Sequence, residues 1–180
     1  MRVTIFGGTH TRPGEKDYEA AVKLGQLLGQ RGHTVISGGY IGVMEAVSRG
    51  AAEAGAHVIG ITCDEIERFR PGKPNAWVRE ERRYPDLIQR LNGLIDSCDA
   101  AIALPGGVGT LAEIMSTWNR ILIGSTPPKP LILVGDGWQQ IVKSFFDNQG
   151  DYVAARDKKW VLFAASVEQA ADLVSHPVEG

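Results

Sequence analysis

Short apolar runs alternate with segments of helical periodicity along most of this chain. Compact apolar runs rich in β-branched residues are typical of strands that are buried on both faces of a sheet. Segments whose apolar positions recur every three or four residues indicate amphipathic helices. The pattern predicts strands at residues 3–6, 34–36, 58–61, 100–104, 131–134 and 160–163, and helices at 18–30, 43–54, 85–97, 111–123, 138–147 and 167–174.

The strict alternation of these strands and helices predicts the fold class. Strands separated by helices run parallel and are joined by right-handed crossovers, so helices cover both faces of the sheet. We therefore predict an α/β fold, a Rossmann-like doubly wound parallel sheet. We see no internal repeat and no interdomain linker, so residues 1–180 are expected to form a single domain, a length that suffices for one hydrophobic core.

The amino-acid composition and the net charge indicate which classes of partner to expect. The chain is 43% apolar and 22% charged with a net charge of -2, and its basic residues are scattered. This pattern favours small-molecule partners, with no nucleic acid and no membrane. The charged stretch at residues 77–85 is expected to be a solvated segment.

The cysteines and the N-terminal sequence predict the compartment. Cys63 and Cys98 form no CxxC pair and have no histidine cluster nearby, which favours reduced thiols and no metal site. Met1 leads directly into the first strand pattern without a signal-peptide pattern, and no apolar run is long enough to span a bilayer. We therefore expect a cytoplasmic protein.

Glycine-rich turns follow three of the predicted strands. They contain Gly7, Gly8 and Thr9 after the first strand, Gly38, Gly39 and Gly42 after the second, and Gly106, Gly107, Val108, Gly109 and Thr110 after the fourth. In doubly wound sheets, ligands bind at the edge where the carboxyl ends of the strands meet. Glycines allow close approach of the backbone, and a helix N-terminus favours a phosphate. The three turns therefore predict a crevice for a phosphorylated ligand.

Glu113 lies just beyond the third turn and has two interpretations. Thr110 and Glu113 have the spacing of a capping box, in which both side chains bond to backbone N–H groups at the start of a helix. Alternatively, a carboxylate beside a phosphate site suggests that chemistry on a phosphorylated sugar or nucleotide takes place near Glu113. The two roles can coexist.

Two of these motifs carry a family resemblance. Residues 105–113, PGGVGTLAE, fit the signature PGGxGTxxE, and residues 37–44, SGGYIGVM, are similar to the element GGGxxGxM. On these motifs the chain resembles the Lonely Guy (LOG) family from about residue 3 to residue 147. The resemblance implies a homodimeric, Rossmann-like phosphoribohydrolase that cleaves the N-glycosidic bond of nucleoside 5'-monophosphates to free base and ribose 5-phosphate, with no cofactor.

The same resemblance assigns roles to individual residues. It implies that Glu113 is the catalytic carboxylate and that Arg90 is its basic partner. It also implies that the glycines of the turns and Thr110 hold phosphate. Met44 matches the second motif and equally suits a core position.

The chain departs from the LOG pattern at several positions. Leu91 follows Arg90 where the family has lysine, Ser37 replaces the first glycine of a triple, and the first loop continues as His10-Thr11. The second motif also resembles a branch that contains molybdenum-cofactor carrier proteins, which bind a phosphorylated pterin without hydrolysing it. A nucleotide hydrolase and a non-catalytic nucleotide or molybdenum-cofactor carrier therefore both remain open.

The older label of this family, lysine decarboxylase, does not fit the residues. Such an enzyme usually needs pyridoxal phosphate bound to a lysine as a Schiff base. No lysine lies in or beside the three glycine turns, and Lys129 precedes a predicted strand.

Overall fold

A parallel sheet forms the centre of the molecule, and the computed structural model describes residues 1–175. The strands in this range are β1 (Arg2–Phe6), β2 (Thr34–Ser37), β3 (Val58–Cys63), β4 (Glu80–Tyr84), β5 (Ala100–Ala103), β6 (Leu131–Val134) and β7 (Val161–Ala164). Their order is β4-β3-β2-β1-β5-β6-β7, and every neighbouring pair is parallel. The predicted Rossmann-like sheet is confirmed. The last five residues of the predicted domain lie outside the described residues.

Helices cover both faces of this sheet, as the doubly wound prediction requires. One core layer includes Leu24, Val47 and Ala170, and the other includes Ile114 and Trp138. The helices within residues 1–175 are α1 (Lys16–Gln30), α2 (Val43–Glu53), α3 (Asp64–Phe69), α4 (Leu87–Asp96), α5 (Val108–Leu122), α6 (Asp136–Gln149), α7 (Ala155–Lys158) and α8 (Val167–Leu173). Each of the six predicted helices buries apolar residues against the sheet or a neighbouring helix, whereas α3 and α7 bury none.

The edge strand β4 corrects one expectation. The charged stretch at residues 77–85 was predicted to be solvated, yet residues 80–84 pair with β3 in parallel register from Ile59↔Glu80 to Cys63↔Tyr84. Its side chains alternate between intermediate and exposed, so no apolar stripe marks the strand. The short helices α3 and α7 were also absent from the prediction.

The strand order fixes where a crevice opens. β1 lies between β2 and β5, so the chain leaves β1 toward one face of the sheet and leaves β5 toward the other. The first and third glycine turns follow these two strands. Across the described range, no helix is both long enough and apolar enough to cross a membrane.

Candidate functional site

The three glycine turns meet at the carboxyl edge of the sheet. The Gly8 N–H donates to the Pro105 carbonyl at 3.0 Å, and the Val43 N–H donates to the Gly8 carbonyl at 2.9 Å. Between the turns opens a cavity of about 530 Å³. The predicted ligand-binding residues that line it are Gly7, Gly8, Thr9, Met44, Gly107, Val108, Gly109 and Thr110.

Gly38, Gly39, Gly42 and Gly106, which were also predicted to bind the ligand, are not among the residues that line the cavity. A Cβ atom on Gly38 would lie 2.0 Å from Arg90 Nη2, and one on Gly106 would lie 2.2 Å from Thr110 Oγ1. Gly42 has a φ of +71°, and a Cβ there would lie 2.6 Å from the Gly8 carbonyl oxygen. These glycines therefore allow segments of the protein itself to approach one another.

Helix α5 begins earlier than predicted, and this removes the capping-box interpretation. The helix starts at Val108 with Gly107 as its N-cap, and no side chain caps it. Thr110 therefore lies inside the first turn, where it cannot act as the N-cap. A Cβ atom on Gly107 or Gly109 would meet nothing within 4 Å, so the space beside this helix terminus is open.

Arg90 on α4 is buried and held by backbone carbonyls. Its Nε donates to the Ile61 carbonyl at 2.8 Å, and its Nη2 donates to the Gly38 carbonyl at 3.3 Å. The guanidinium carbon lies 5.8 Å from the centre of the Tyr40 ring. The remaining nitrogen, Nη1, lies 4.0 Å from Oε1 of Glu113. The two residues that the family resemblance singled out are thus brought together in the cavity.

The environment of Glu113 changes its acidity. Its side chain is only 17% exposed. Burial raises the pKa of this carboxyl to about 7, and the nearby positive charge of Arg90 opposes the increase. Near neutral pH both protonation states are populated, so Glu113 can accept or release a proton during a reaction.

Several residues that line the cavity were given no binding role from the sequence. Leu87 and Leu91 are four residues apart on α4, Ile66 and Phe69 are three apart on α3, and Arg70 directly follows α3. The spacing could have identified Leu87, because it lies three residues before Arg90 and residues three and four apart lie on the same side of a helix. Nothing in the sequence marked α3 as a wall of the site. Tyr40 and His10 complete the lining, together with Ala112.

The lysine that comes shortly before β6, Lys129, lies away from this cavity. No lysine lines it, and Lys129 is buried elsewhere, with its Nζ donating to the Ile95 and Cys98 carbonyls at 2.7 Å. Among residues 1–175, no cluster of three histidine, cysteine or acidic side chains has an arrangement that could hold a metal ion.

Comparison with known sequences gives a family match. The model of the SLOG cluster4 family matches residues 1–161. A probable cytokinin riboside 5'-monophosphate phosphoribohydrolase of Oryza sativa subsp. japonica, LOGL5, is 37% identical over 81% of this chain and 59% of its own length. The phosphoribohydrolase LOG3 of Arabidopsis thaliana is 35% identical over 81% of this chain and 67% of its own length. The chain thus spans about three fifths of the first relative and two thirds of the second.

Solved structures with the same fold include molybdenum-cofactor proteins. The molybdenum cofactor binding protein of Rippkaea orientalis has a TM-score of 0.75 and 27% identity, over 96% of this chain and 94% of its own. The molybdenum cofactor carrier protein of Chlamydomonas reinhardtii has a TM-score of 0.74 and 26% identity over the same shares. Both resemblances inferred from the sequence motifs are therefore confirmed. By its sequence match and its fold, this chain belongs to the SLOG cluster4 family and is similar to the LOG phosphoribohydrolases.

Proposed function

We propose that this protein is a phosphoribohydrolase that cleaves the N-glycosidic bond of a nucleoside 5'-monophosphate, releasing the free base and ribose 5-phosphate. The observation that carries the proposal is the grouping of Glu113, Arg90 and the open N-terminus of α5 around one cavity. The LOG relatives are named as phosphoribohydrolases and not as decarboxylases, which supports this class of reaction.

The phosphate of the substrate binds at the N-terminus of α5. The first N–H groups of a helix have no partner within the helix, and the positive end of the helix dipole attracts an anion. The open space at Gly107 and Gly109 admits the phosphate, and the turn at Gly7 and Gly8 borders it. The phosphate lies away from the bond that breaks, and the binding energy that it supplies holds the ribose in position against Glu113.

Glu113 acts on the anomeric carbon. As the bond from C1' to the base nitrogen breaks, its electrons leave with the base, and positive charge develops on the ribose in an oxocarbenium-like state. The ionised carboxylate stabilises this charge and takes a proton from the water that attacks C1'. The departing base nitrogen acquires a proton from solvent. Arg90 favours the ionised form of Glu113 and is itself held by the Ile61 and Gly38 carbonyls.

Replacement of Glu113 by glutamine tests the mechanism. We expect base release from nucleoside monophosphates to fall by about a hundredfold or more, because loss of one well-placed electrostatic group has this effect. Affinity for the nucleotide should change little. In the wild-type protein kcat/KM should rise as pH passes through about 7, where Glu113 ionises. A panel of nucleoside monophosphates with chromatographic detection of free base provides the measurement.

A non-catalytic carrier of a nucleotide or of the molybdenum cofactor is the second candidate. The observation that favours it is the similarity to solved molybdenum-cofactor proteins, which extends over 96% of this chain. Leu91, in place of the lysine of the LOG pattern, also favours it. Tight binding of a phosphorylated ligand without release of base from any common nucleoside monophosphate would establish this function instead of the first.

The expected partners and compartment are also proposals. We propose a small phosphorylated ligand and no nucleic acid, which the net charge of -2 supports. The proposed location is the cytoplasm, which the free and buried state of Cys63 and Cys98 supports. We propose a homodimer on the basis of the exposed apolar side chains of α4 and α5.

A further inference from the structure

We propose that the short helix α3, with the facing side of α4, forms an apolar wall that recognises the base of the nucleotide. This inference rests on the proposed function, because it assigns the part of the substrate that the phosphate site and Glu113 leave unassigned. It identifies Phe69 as a specificity-determining residue and Arg83 as the residue that positions it.

Helix α3 lies at the surface of the protein and packs little against the hydrophobic core. None of its residues is buried, so it contributes little to the hydrophobic core. Its Phe69 is 92% exposed although it lines the cavity. An aromatic side chain held at the surface of a ligand cavity is suited to cover a flat apolar group that is absent from the free protein.

Polar contacts fix α3 in place. Arg83 of the edge strand β4 donates to Asp64 at 2.5 Å and forms a two-point contact with Glu67 at 2.7 and 3.1 Å. Glu67 also accepts a hydrogen bond from the Tyr40 hydroxyl at 3.2 Å. Glu65 accepts from the Leu87 backbone N–H at 2.8 Å, which ties α3 to α4. The carboxylates of α3 thus hold the helix, while its Ile66 and Phe69 face the cavity.

The apolar wall consists of one pair of side chains from α3 and one pair from α4. Ile66 and Phe69 are three residues apart on α3, and Leu87 and Leu91 are four apart on α4, so each pair lies on one helix face. Leu91 is the position where the LOG pattern has lysine. An apolar side chain there favours a neutral ring over an anion. Arg70, which follows Phe69, also lines the cavity, and a guanidinium plane stacks on a base much as an aromatic ring does. This end of the cavity is therefore suited to a heteroaromatic base.

The sheet places this wall at a distance from the phosphate site. Helix α3 follows β3, and α5 follows β5, and these strands are three positions apart in the order β3-β2-β1-β5. Neighbouring strands are about 4.8 Å apart, so the two ends of the cavity are separated by roughly 14 Å. Arg90 bonds to carbonyls of β3 and of the turn after β2, and it lies 4.0 Å from Glu113 on α5. A ligand anchored by its phosphate at α5 therefore extends past the reacting carbon toward α3.

Binding measurements separate the base from the phosphate. We compare AMP, which carries a base, with ribose 5-phosphate, which carries none, by isothermal titration calorimetry in the Glu113→Gln background, where turnover is suppressed. Phe69→Ala should weaken AMP binding by about tenfold, the effect typical of losing one base–aromatic stack, and leave ribose 5-phosphate binding within about twofold. Phe69→Tyr should retain AMP affinity. Tyr152→Ala removes an aromatic residue of similar exposure outside the cavity and should change neither affinity.

Arg83→Ala tests the positioning role with the same two probes. It should weaken AMP binding severalfold without affecting ribose 5-phosphate, because α3 loses its contacts at Asp64 and Glu67 while the phosphate site is untouched. Unchanged AMP affinity in this variant would show that Arg83 does not position the wall.

The outcomes distinguish this inference from the proposed hydrolysis. Equal losses of AMP and ribose 5-phosphate affinity in Phe69→Ala, or no loss at all, overturn the base wall, as does failure of AMP, GMP, CMP and UMP all to bind. Selective loss of AMP affinity in a protein whose wild type releases no base supports the wall and refutes hydrolysis. Base release with an unchanged KM in an otherwise wild-type Phe69→Ala protein supports hydrolysis and refutes the wall.

Discussion

At the scale of single residues, Glu113 links burial to chemistry. A carboxyl group that is mostly buried near one arginine has its pKa raised to about 7, with burial the larger effect. Without the capping-box role that the sequence allowed, the side chain gains no hydrogen bond to a backbone N–H at the N-terminus of α5. Ionisation of Glu113 therefore lowers the stability of the folded protein, and the same raised pKa lets the carboxyl exchange a proton near neutral pH.

The unfavourable ionisation of Glu113 predicts that the stability of the protein depends on pH. Because the folded-state pKa is near 7 and the ordinary value is 4.5, the folded protein binds the proton more tightly than the unfolded chain. The free energy of unfolding should therefore fall as pH rises from about 4.5 to about 7, by about 3 kcal/mol in total for this group. Urea denaturation at pH 5 and pH 8 measures the effect, and Glu113→Gln should lack this contribution. A difference between wild type and variant that stays constant with pH would contradict it.

The glycines show how similar residues serve different purposes. Gly38 and Gly42 allow close approach of protein atoms, whereas Gly107 and Gly109 border open space in the cavity. The motifs alone indicated that glycine matters at these positions but could not separate the two uses, because the neighbouring atoms come from elsewhere in the fold. Arg90 shows the same limit. The carbonyls that accept hydrogen bonds from its buried guanidinium belong to β3 and to the second turn. From the sequence, only the family resemblance pointed to this residue.

At the scale of elements, the N-terminus of α5 is the proposed phosphate site, and Gly109 tests it. Gly109→Val should abolish binding of ribose 5-phosphate, because a branched side chain would occupy the space that the phosphate needs. The variant should still fold, since a Cβ at this position meets no atom within 4 Å. Calorimetry measures binding and circular dichroism measures folding. Val153→Ile, a change outside the cavity lining, is a control for added volume.

Unchanged affinity in a folded Gly109→Val protein would refute the phosphate site. A crystal of the wild-type protein grown with phosphate or sulfate should show the anion at the first turn of α5. Anions bound only at remote surfaces would count against the same assignment.

The apolar pattern predicted the central strands and the longer helices closely but missed β4 and α3. Strand β4 forms by backbone pairing with β3, and its charged residues carry no apolar alternation. Helix α3 buries no residue and is held by ion pairs with Arg83. Both elements depend on contacts with segments distant in sequence, which a local periodicity cannot detect.

At the scale of the whole molecule, the α4–α5 surface is the expected dimer interface. Ile88 on α4 is 70% exposed and Ile123 at the end of α5 is 68% exposed. Arg120 of α5 donates to Asn92 and Asp96 of α4 at 3.0 and 2.7 Å, so the two helices lie side by side. Exposed apolar side chains on adjacent helices are typical of a surface that a partner subunit covers.

Light scattering should therefore give twice the chain mass of 19.5 kDa at micromolar concentration. Replacing Ile88 and Ile123 together by lysine should produce a monomer, because charged side chains in an apolar interface disfavour association. Tyr152→Lys alters an exposed aromatic residue elsewhere and should remain dimeric. A monomeric wild-type protein would contradict the expectation.

The sequence by itself determined the sheet class, the position of the glycine turns and the family, because apolar periodicity and local motifs are properties of neighbouring residues. Only the tertiary structure decided that Arg90 lies 4.0 Å from Glu113, that the capping box does not form, and that α3 closes one end of the cavity. The contact between Arg90 and Glu113 and the place of α3 at the cavity both depend on the order β4-β3-β2-β1-β5-β6-β7. That order brings side chains from distant parts of the chain together at the edge of the sheet, where Glu113 is buried and its pKa is raised. Neither the contact nor the burial can be predicted from residues that are adjacent in the chain.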